Sequence, residues 1–104
     1  MNNLKTYCFD LDGTLCQTVD GDYRNSKPLK NNIKILNNLF EEGNKILIFT
    51  ARGSTTGIDW KELTEHQLNL WGINYSKLIL GKPEADIFID DKAENAESWF
   101  KKFN

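Results

Sequence analysis

Phe9-Asp10-Leu11-Asp12-Gly13-Thr14 sets two carboxylates one residue apart where an apolar run ends. The run before it, Leu4 to Phe9 with Tyr7 and Cys8, has the composition of a parallel strand buried on both faces, and Gly13 gives the backbone freedom for a sharp turn. Asp10 and Asp12 are therefore expected at the carboxyl end of a first strand, where ligands bind in open α/β sheets.

The remaining segments repeat that plan. Cys16 to Lys27 is polar and rich in turn residues, including Asp20-Gly21-Asp22-Tyr23, and reads as a flap over the strand end, a substrate lid. Pro28 opens a predicted helix with its apolar side at Leu29, Ile33, Leu36, Leu39 and Phe40, and Gly43 stops it. Lys45 to Thr50 is a second buried strand, followed by the polar loop Ala51 to Gly57. Asp59 and Glu62 have the spacing of a capping box for a second helix, which carries Trp60, Leu63, Gln67 or Leu68, and Trp71 on one side and stops at Gly72. A third strand near Leu78 to Leu80 leads into Gly81-Lys82-Pro83. A fourth, Ile87 to Ile89, ends in Asp90-Asp91, and a last helix is expected between Ala93 and Phe103. Strands alternating with helices imply right-handed crossovers and a small parallel sheet, hence a three-layer, Rossmann-like α/β domain.

The bulk composition sets limits on function. At 104 residues the chain is expected to form a single domain over 1–104, hiding roughly 60–65% of its unfolded surface. It is 39% hydrophobic and 27% charged, with a net charge of −2 that gives no support for nucleic-acid binding. Its apolar runs fall short of the roughly 20 residues needed to cross a bilayer, and its start lacks the order of a signal peptide, so no membrane partner and a cytoplasmic location are expected. Cys8 and Cys16 are expected as free thiols in that compartment, and His66, which has no second ligand or base near it in sequence, as a surface residue.

A parallel topology would bring Asp10, Asp12, Thr50, Lys82, Asp90 and Asp91 to one sheet edge. Four converging acids repel one another unless a divalent cation sits among them, and hard oxygen donors without Cys or His favour Mg²⁺. Such a cation suits an anionic substrate. Lys82 as a point charge and the Thr50 hydroxyl would hold the remaining oxygens of a phosphoryl group.

With these residues in place, Asp10-Leu11-Asp12-Gly13-Thr14 resembles the first motif of the haloacid dehalogenase (HAD) superfamily of aspartyl-phosphate-forming hydrolases. Thr50 resembles its second motif, Lys82 its third, and Asp90-Asp91 its last acidic motif, so the resemblance covers nearly the whole chain. It implies an HAD-type phosphatase, a Mg²⁺-dependent phosphomonoester hydrolase with Asp10 as nucleophile and Asp12 as the residue that protonates the leaving alcohol and then deprotonates the attacking water. Thr50, Lys82 and Arg52 would bind substrate phosphate. Asp10, the Asp12 carbonyl and Asp91, supported by Asp90, would hold the metal. The superfamily's cap insertions have no room here, so the chain resembles a capless member with an open site, which either acts on large substrates or closes its pocket as a homo-oligomer. Phe-Thr-Ala-Arg (49–52), Leu-Trp-Gly-Ile (70–73) and Gly-Lys-Pro (81–83) resemble small bacterial phosphatases of capsule and surface-polysaccharide biosynthesis, implying a phosphorylated sugar or another small precursor as substrate. Two other classes compete: a phosphate-binding signalling module, either receiver-like or a catalytically idle relative, and a phosphotransferase. The receiver reading calls for an acid at the end of the third strand, where Leu80-Gly81 stands.

Overall fold

The computed structural model describes residues 3–104. Along the chain come β1 (Thr6–Phe9), a ribbon of β2 (Cys16–Gln17) and β3 (Lys27–Pro28), α1 (Lys30–Glu41), β4 (Lys45–Thr50), α2 (Lys61–Leu70), β5 (Lys77–Leu80) and α3 (Ala96–Lys101). β1, β4 and β5 form a parallel sheet in that spatial order, with Phe9 beside Ile48 and Thr50 beside Leu80. The α/β alternation expected from the sequence is the observed architecture.

Local chemistry accounts for the helices, with shifts at their ends. The α1 stripe buries Ile33, Leu36 and Leu39, and Gly43, at φ 101°, takes the left-handed conformation that stops the helix. Pro28 does not open α1. It pairs with Cys16 in the β2–β3 ribbon, and Leu29 occupies the N-cap. The capping box expected from Asp59 and Glu62 is not made: Trp60 is the N-cap of α2, while the Asp59 carboxylate accepts the Lys61 amide at 3.0 Å. α3 is shorter than the expected span and is capped by Asn95, whose side chain accepts the Ser98 amide. Its Trp99 and Phe100 rings lie 5.5 and 6.1 Å from the Phe9 ring.

The sheet is covered on one face rather than two. Register puts Phe9, Ile46, Ile48 and Thr50 on the same side, and all four are buried. Leu11, Leu15, Leu36, Leu68, Ile73 and Phe100 complete that core. Cys8, Leu47, Phe49 and Ile79 face the other way and are exposed or half-buried. Connection geometry explains the single layer of helices. β1 to β4 and β4 to β5 step in the same direction across the sheet, and two right-handed crossovers in one direction place α1 and α2 on one face. The three-layer expectation is corrected accordingly.

The expected fourth strand is also corrected. Ile87, Phe88 and Ile89 lie outside the sheet, with Ile89 94% exposed, and the free edge of β1 has no described neighbour. Strand-like composition is not enough: pairing also needs the run carried alongside a free edge, and the irregular backbone after β5 leaves these residues away from the sheet.

One-sided packing separates two otherwise similar core truncations. Ile48→Ala is expected to destabilise by about 2–5 kcal/mol, and Leu47→Ala, on the open face, by less than about 1.5 kcal/mol. Denaturant unfolding of both variants checks this, and equal losses would contradict a core on one face.

Candidate functional site

The carboxyl ends of β1, β4 and β5 place Asp10 beside Lys82 and Asp12 beside Arg52. Asp10 follows directly on β1, and its Oδ1 accepts the Leu11 amide at 2.9 Å. The chain then doubles back tightly. The Leu11 carbonyl accepts the amides of Thr14, Leu15 and Cys16, at 3.1, 2.8 and 3.3 Å, which turns Asp12 toward the interior end of β4. Lys82 is aligned by its own amide, which donates to the Thr50 carbonyl at 3.1 Å. Its Nζ then lies 3.6 Å from Asp10 Oδ1 and 4.5 Å from the centre of the Phe88 ring.

Each acid thus has its own cation. Asp10 and Lys82 are both partly open to solvent, at 38% and 19% side-chain exposure. Asp12 is clamped by Arg52: Nε donates to Oδ2 at 3.0 Å and Nη2 to Oδ1 at 2.9 Å, a bidentate fork. The Thr18 hydroxyl adds a 2.5 Å bond to the same Oδ1.

The two carboxyls titrate in opposite directions. Burial pushes the Asp10 carboxyl up, and Asp12 nearby adds to the rise, against the pull of Lys82 and the Leu11 amide. Burial would raise Asp12 too, but the Arg52 bonds, the Thr18 hydroxyl and the Arg52 charge outweigh it and hold that carboxyl below its usual range. The Cys16 thiol, buried next to Asp12, is pushed up to about 11 and remains protonated at neutral pH.

Several site residues predicted from sequence lie where that prediction did not put them. Arg52, expected at the substrate, is 2% exposed and turned inward. Thr50 is fully buried, and its hydroxyl oxygen accepts the Arg52 amide at 3.2 Å, so it forms the floor behind the site rather than an open phosphate contact. Asp90 and Asp91 are exposed on the irregular segment between β5 and α3, where Asp90 accepts the Lys92 amide. Among the described residues no group of three or more His, Cys, Asp or Glu side chains is gathered closely enough to hold a metal ion. Among the described residues Asp10, Asp12, Asp90 and Asp91 therefore do not form the close group of donors that the expected Mg²⁺ site needs.

Sequence reasoning missed the residues that surround Arg52. Thr64 and Gln67 of α2 accept from Nη1 at 3.1 and 2.6 Å, and Ser26 of the flap accepts from Nη2 at 3.4 Å. The signal was Thr64 and Gln67, two polar residues at helical spacing within an otherwise inward-facing stripe, which marks a polar partner in the core. Beside Arg52 a recess of about 200 Å³, lined by Ser54, Ile58, Trp60 and Leu80 among others, opens next to the Lys82 loop. A larger groove of about 540 Å³ between α1 and the end of α2 includes none of these acids or cations and is not the site.

Neither a family model nor a curated protein sequence matches the chain. It does resemble the crystal structure of a target protein from Vibrio cholerae, with a TM-score of 0.82 and 30% identity over 93% of this chain and 88% of that one. A chain of the Pnkp1/Rnl/Hen1 RNA repair complex shares the fold at a TM-score of 0.61 and 20% identity. That match covers 96% of this chain and 30% of the longer one. No helix among the described residues is long and apolar enough to cross a membrane.

The depressed Asp12 carboxyl gives a signed pH dependence. Its folded value lies below the unfolded one of about 3.9, so the stability it contributes is fully present above that pH and is lost as pH falls through the folded value. Asp12→Asn is therefore expected to lower stability at pH 7 by about 3 kcal/mol, since it leaves a buried Arg52 without its counter-charge, and by progressively less below pH 4. Chemical unfolding of both proteins at pH 7, 4 and 3 measures the gap, and a constant difference would refute the linkage.

Proposed function

We propose that this chain, which belongs to the same family as the Vibrio cholerae protein, is a capless phosphomonoester hydrolase of the haloacid dehalogenase type that works through an aspartyl phosphate on Asp10. The observation that carries this reading is the set of groups at the strand ends: a half-open Asp10 beside the Lys82 ammonium, with a second carboxylate held rigidly two residues on.

The chemistry follows from what each group can supply. An Asp10 carboxylate oxygen attacks phosphorus, the bond from phosphorus to the substrate oxygen breaks, and an acyl phosphate forms on Asp10. The Lys82 ammonium, already 3.6 Å from Asp10, would balance negative charge on the phosphoryl oxygens as that group arrives. Water then attacks phosphorus, the bond from phosphorus to the Asp10 oxygen breaks, and inorganic phosphate leaves with the carboxylate restored. Asp12 is suited to take the proton of that water, because its clamp keeps it ionised. Because the clamp opposes protonation of Asp12, the leaving oxygen takes its proton from solvent at this open site, and the proton Asp12 accepts from the attacking water later passes back to solvent. No step is assigned to Mg²⁺, since the described residues do not gather its ligands.

The substrate proposal rests on the resemblance to surface-polysaccharide phosphatases. The recess of about 200 Å³ lies beside the strand ends, with a lining that includes neither Asp10 nor Lys82, so the proposal of a phosphorylated sugar is carried by the resemblance.

Turnover of an aryl phosphate, measured with added Mg²⁺ and with a chelator, tests the proposal. Asp10→Asn is expected to lose roughly 10³-fold or more in kcat, and Asp12→Asn about 10²–10⁴-fold, with both chains folded. Retained turnover in Asp10→Asn would refute the nucleophile, and phosphate binding without turnover in the unmodified chain would favour the signalling-module reading.

A further inference from the structure

We propose that Arg52 is a positioning residue that never touches substrate: it fixes the Asp12 carboxylate in one orientation and seats the β2–β3 flap over it as a fixed wall. Its catalytic consequence rests on the hydrolase reading above, whereas its seating of the flap does not.

The guanidinium has no donor left for a substrate. Nε and one Nη2 hydrogen go to Asp12, and both Nη1 hydrogens go to Thr64 and Gln67. The second Nη2 hydrogen faces Ser26 at 3.4 Å and Cys16 Sγ at 3.9 Å. The Tyr23 ring covers the remaining face, its centre 4.7 Å from Cζ. A planar group with five fixed donors matches this set of acceptors, and a lysine ammonium, with three donors on one atom, cannot.

Both ends of the flap and its turn are tied to that pair. Thr18, just past β2, bonds Asp12 and lies 2.6 Å from the Ser26 hydroxyl, just before β3. The turn between them is held by Gln67, which accepts from Arg52 and donates its Nε2 hydrogen to the Tyr23 carbonyl at 2.6 Å. Lifting the flap would strip several bonds from a buried charge pair, which is costly. On this proposal the flap is a fixed wall over Asp12 and does not open as a lid. Asp10 and Lys82 keep 38% and 19% side-chain exposure, which leaves their side of the site open to substrate.

The test compares Arg52→Lys and Arg52→Met with the unmodified chain by amide hydrogen exchange and by steady-state kinetics. Exchange over residues 17–27 is expected to rise at least about tenfold in both variants while the α1 and β4 amides stay protected. On an aryl phosphate, kcat is expected to fall about 100-fold with KM within about twofold, because a misplaced Asp12 affects the chemical step and not binding. A KM raised tenfold with kcat unchanged would mean that Arg52 holds the phosphate and would overturn the proposal, as would unchanged exchange over the flap. If the Arg52 variants do not fold, the double variant Ser26→Ala/Gln67→Leu keeps the Asp12 pair and removes two of its ties to the flap. Faster flap exchange there supports the seating, and unchanged exchange overturns it. An unmodified chain without phosphatase activity would remove the hydrolase reading alone, and flap exchange would still decide the role of Arg52.

Discussion

The fork between Arg52 and Asp12 is the interaction on which the upper half of the molecule depends. A guanidinium at 2% exposure is tolerable only when its charge is matched and its donors are satisfied, and the fold supplies both. Asp12 comes from the turn after β1, Thr64 and Gln67 from α2, and Ser26, Thr18 and Tyr23 from the flap. One side chain at the end of β4 thereby joins three otherwise separate segments. The small hydrophobic core lies below this network, on a single face of the sheet, and could not itself position a polar flap.

Charge balance shapes the rest of the strand-end surface. Two carboxylates one residue apart in sequence are kept compatible by two cations from different strands, Arg52 deep in the protein and Lys82 near its surface. The division gives them different chemical characters. Asp12 is rigid and ionised, while Asp10 is more open, its carboxyl raised by burial and faced by a lysine that a phosphoryl group could engage. Because both acids are already paired, the arrangement stands without the exposed Asp90 and Asp91. The segment that carries them is linked back by the contact of Phe88 with Lys82.

Much of this was legible in the residues. The positions of Asp10 and Asp12, the stripe of α1, the six residues of β4 and the placement of Lys82 after β5 all follow from short-range signals: apolar runs, helical spacing and glycine at element ends. Other features depended on competition between distant parts of the chain. Ile87-Phe88-Ile89 has the composition of a strand, but pairing requires the chain to bring it alongside a free edge, and it stands exposed instead. Pro28 has the chemistry of a helix start, yet the ribbon with Cys16 claims it first.

The sequence alone determined the alternation of strands and helices and the cluster of acidic and basic residues at the strand ends, because those depend on periodicity and on the direction of a parallel chain. Only the tertiary structure decided which way Arg52 points. In the sequence it is a loop arginine between Ala51 and Gly53, free to face solvent or substrate. Its inward course is set by acceptors 12, 15, 26 and 40 residues away, which meet only when the flap, α2 and the turn after β1 close on the same point.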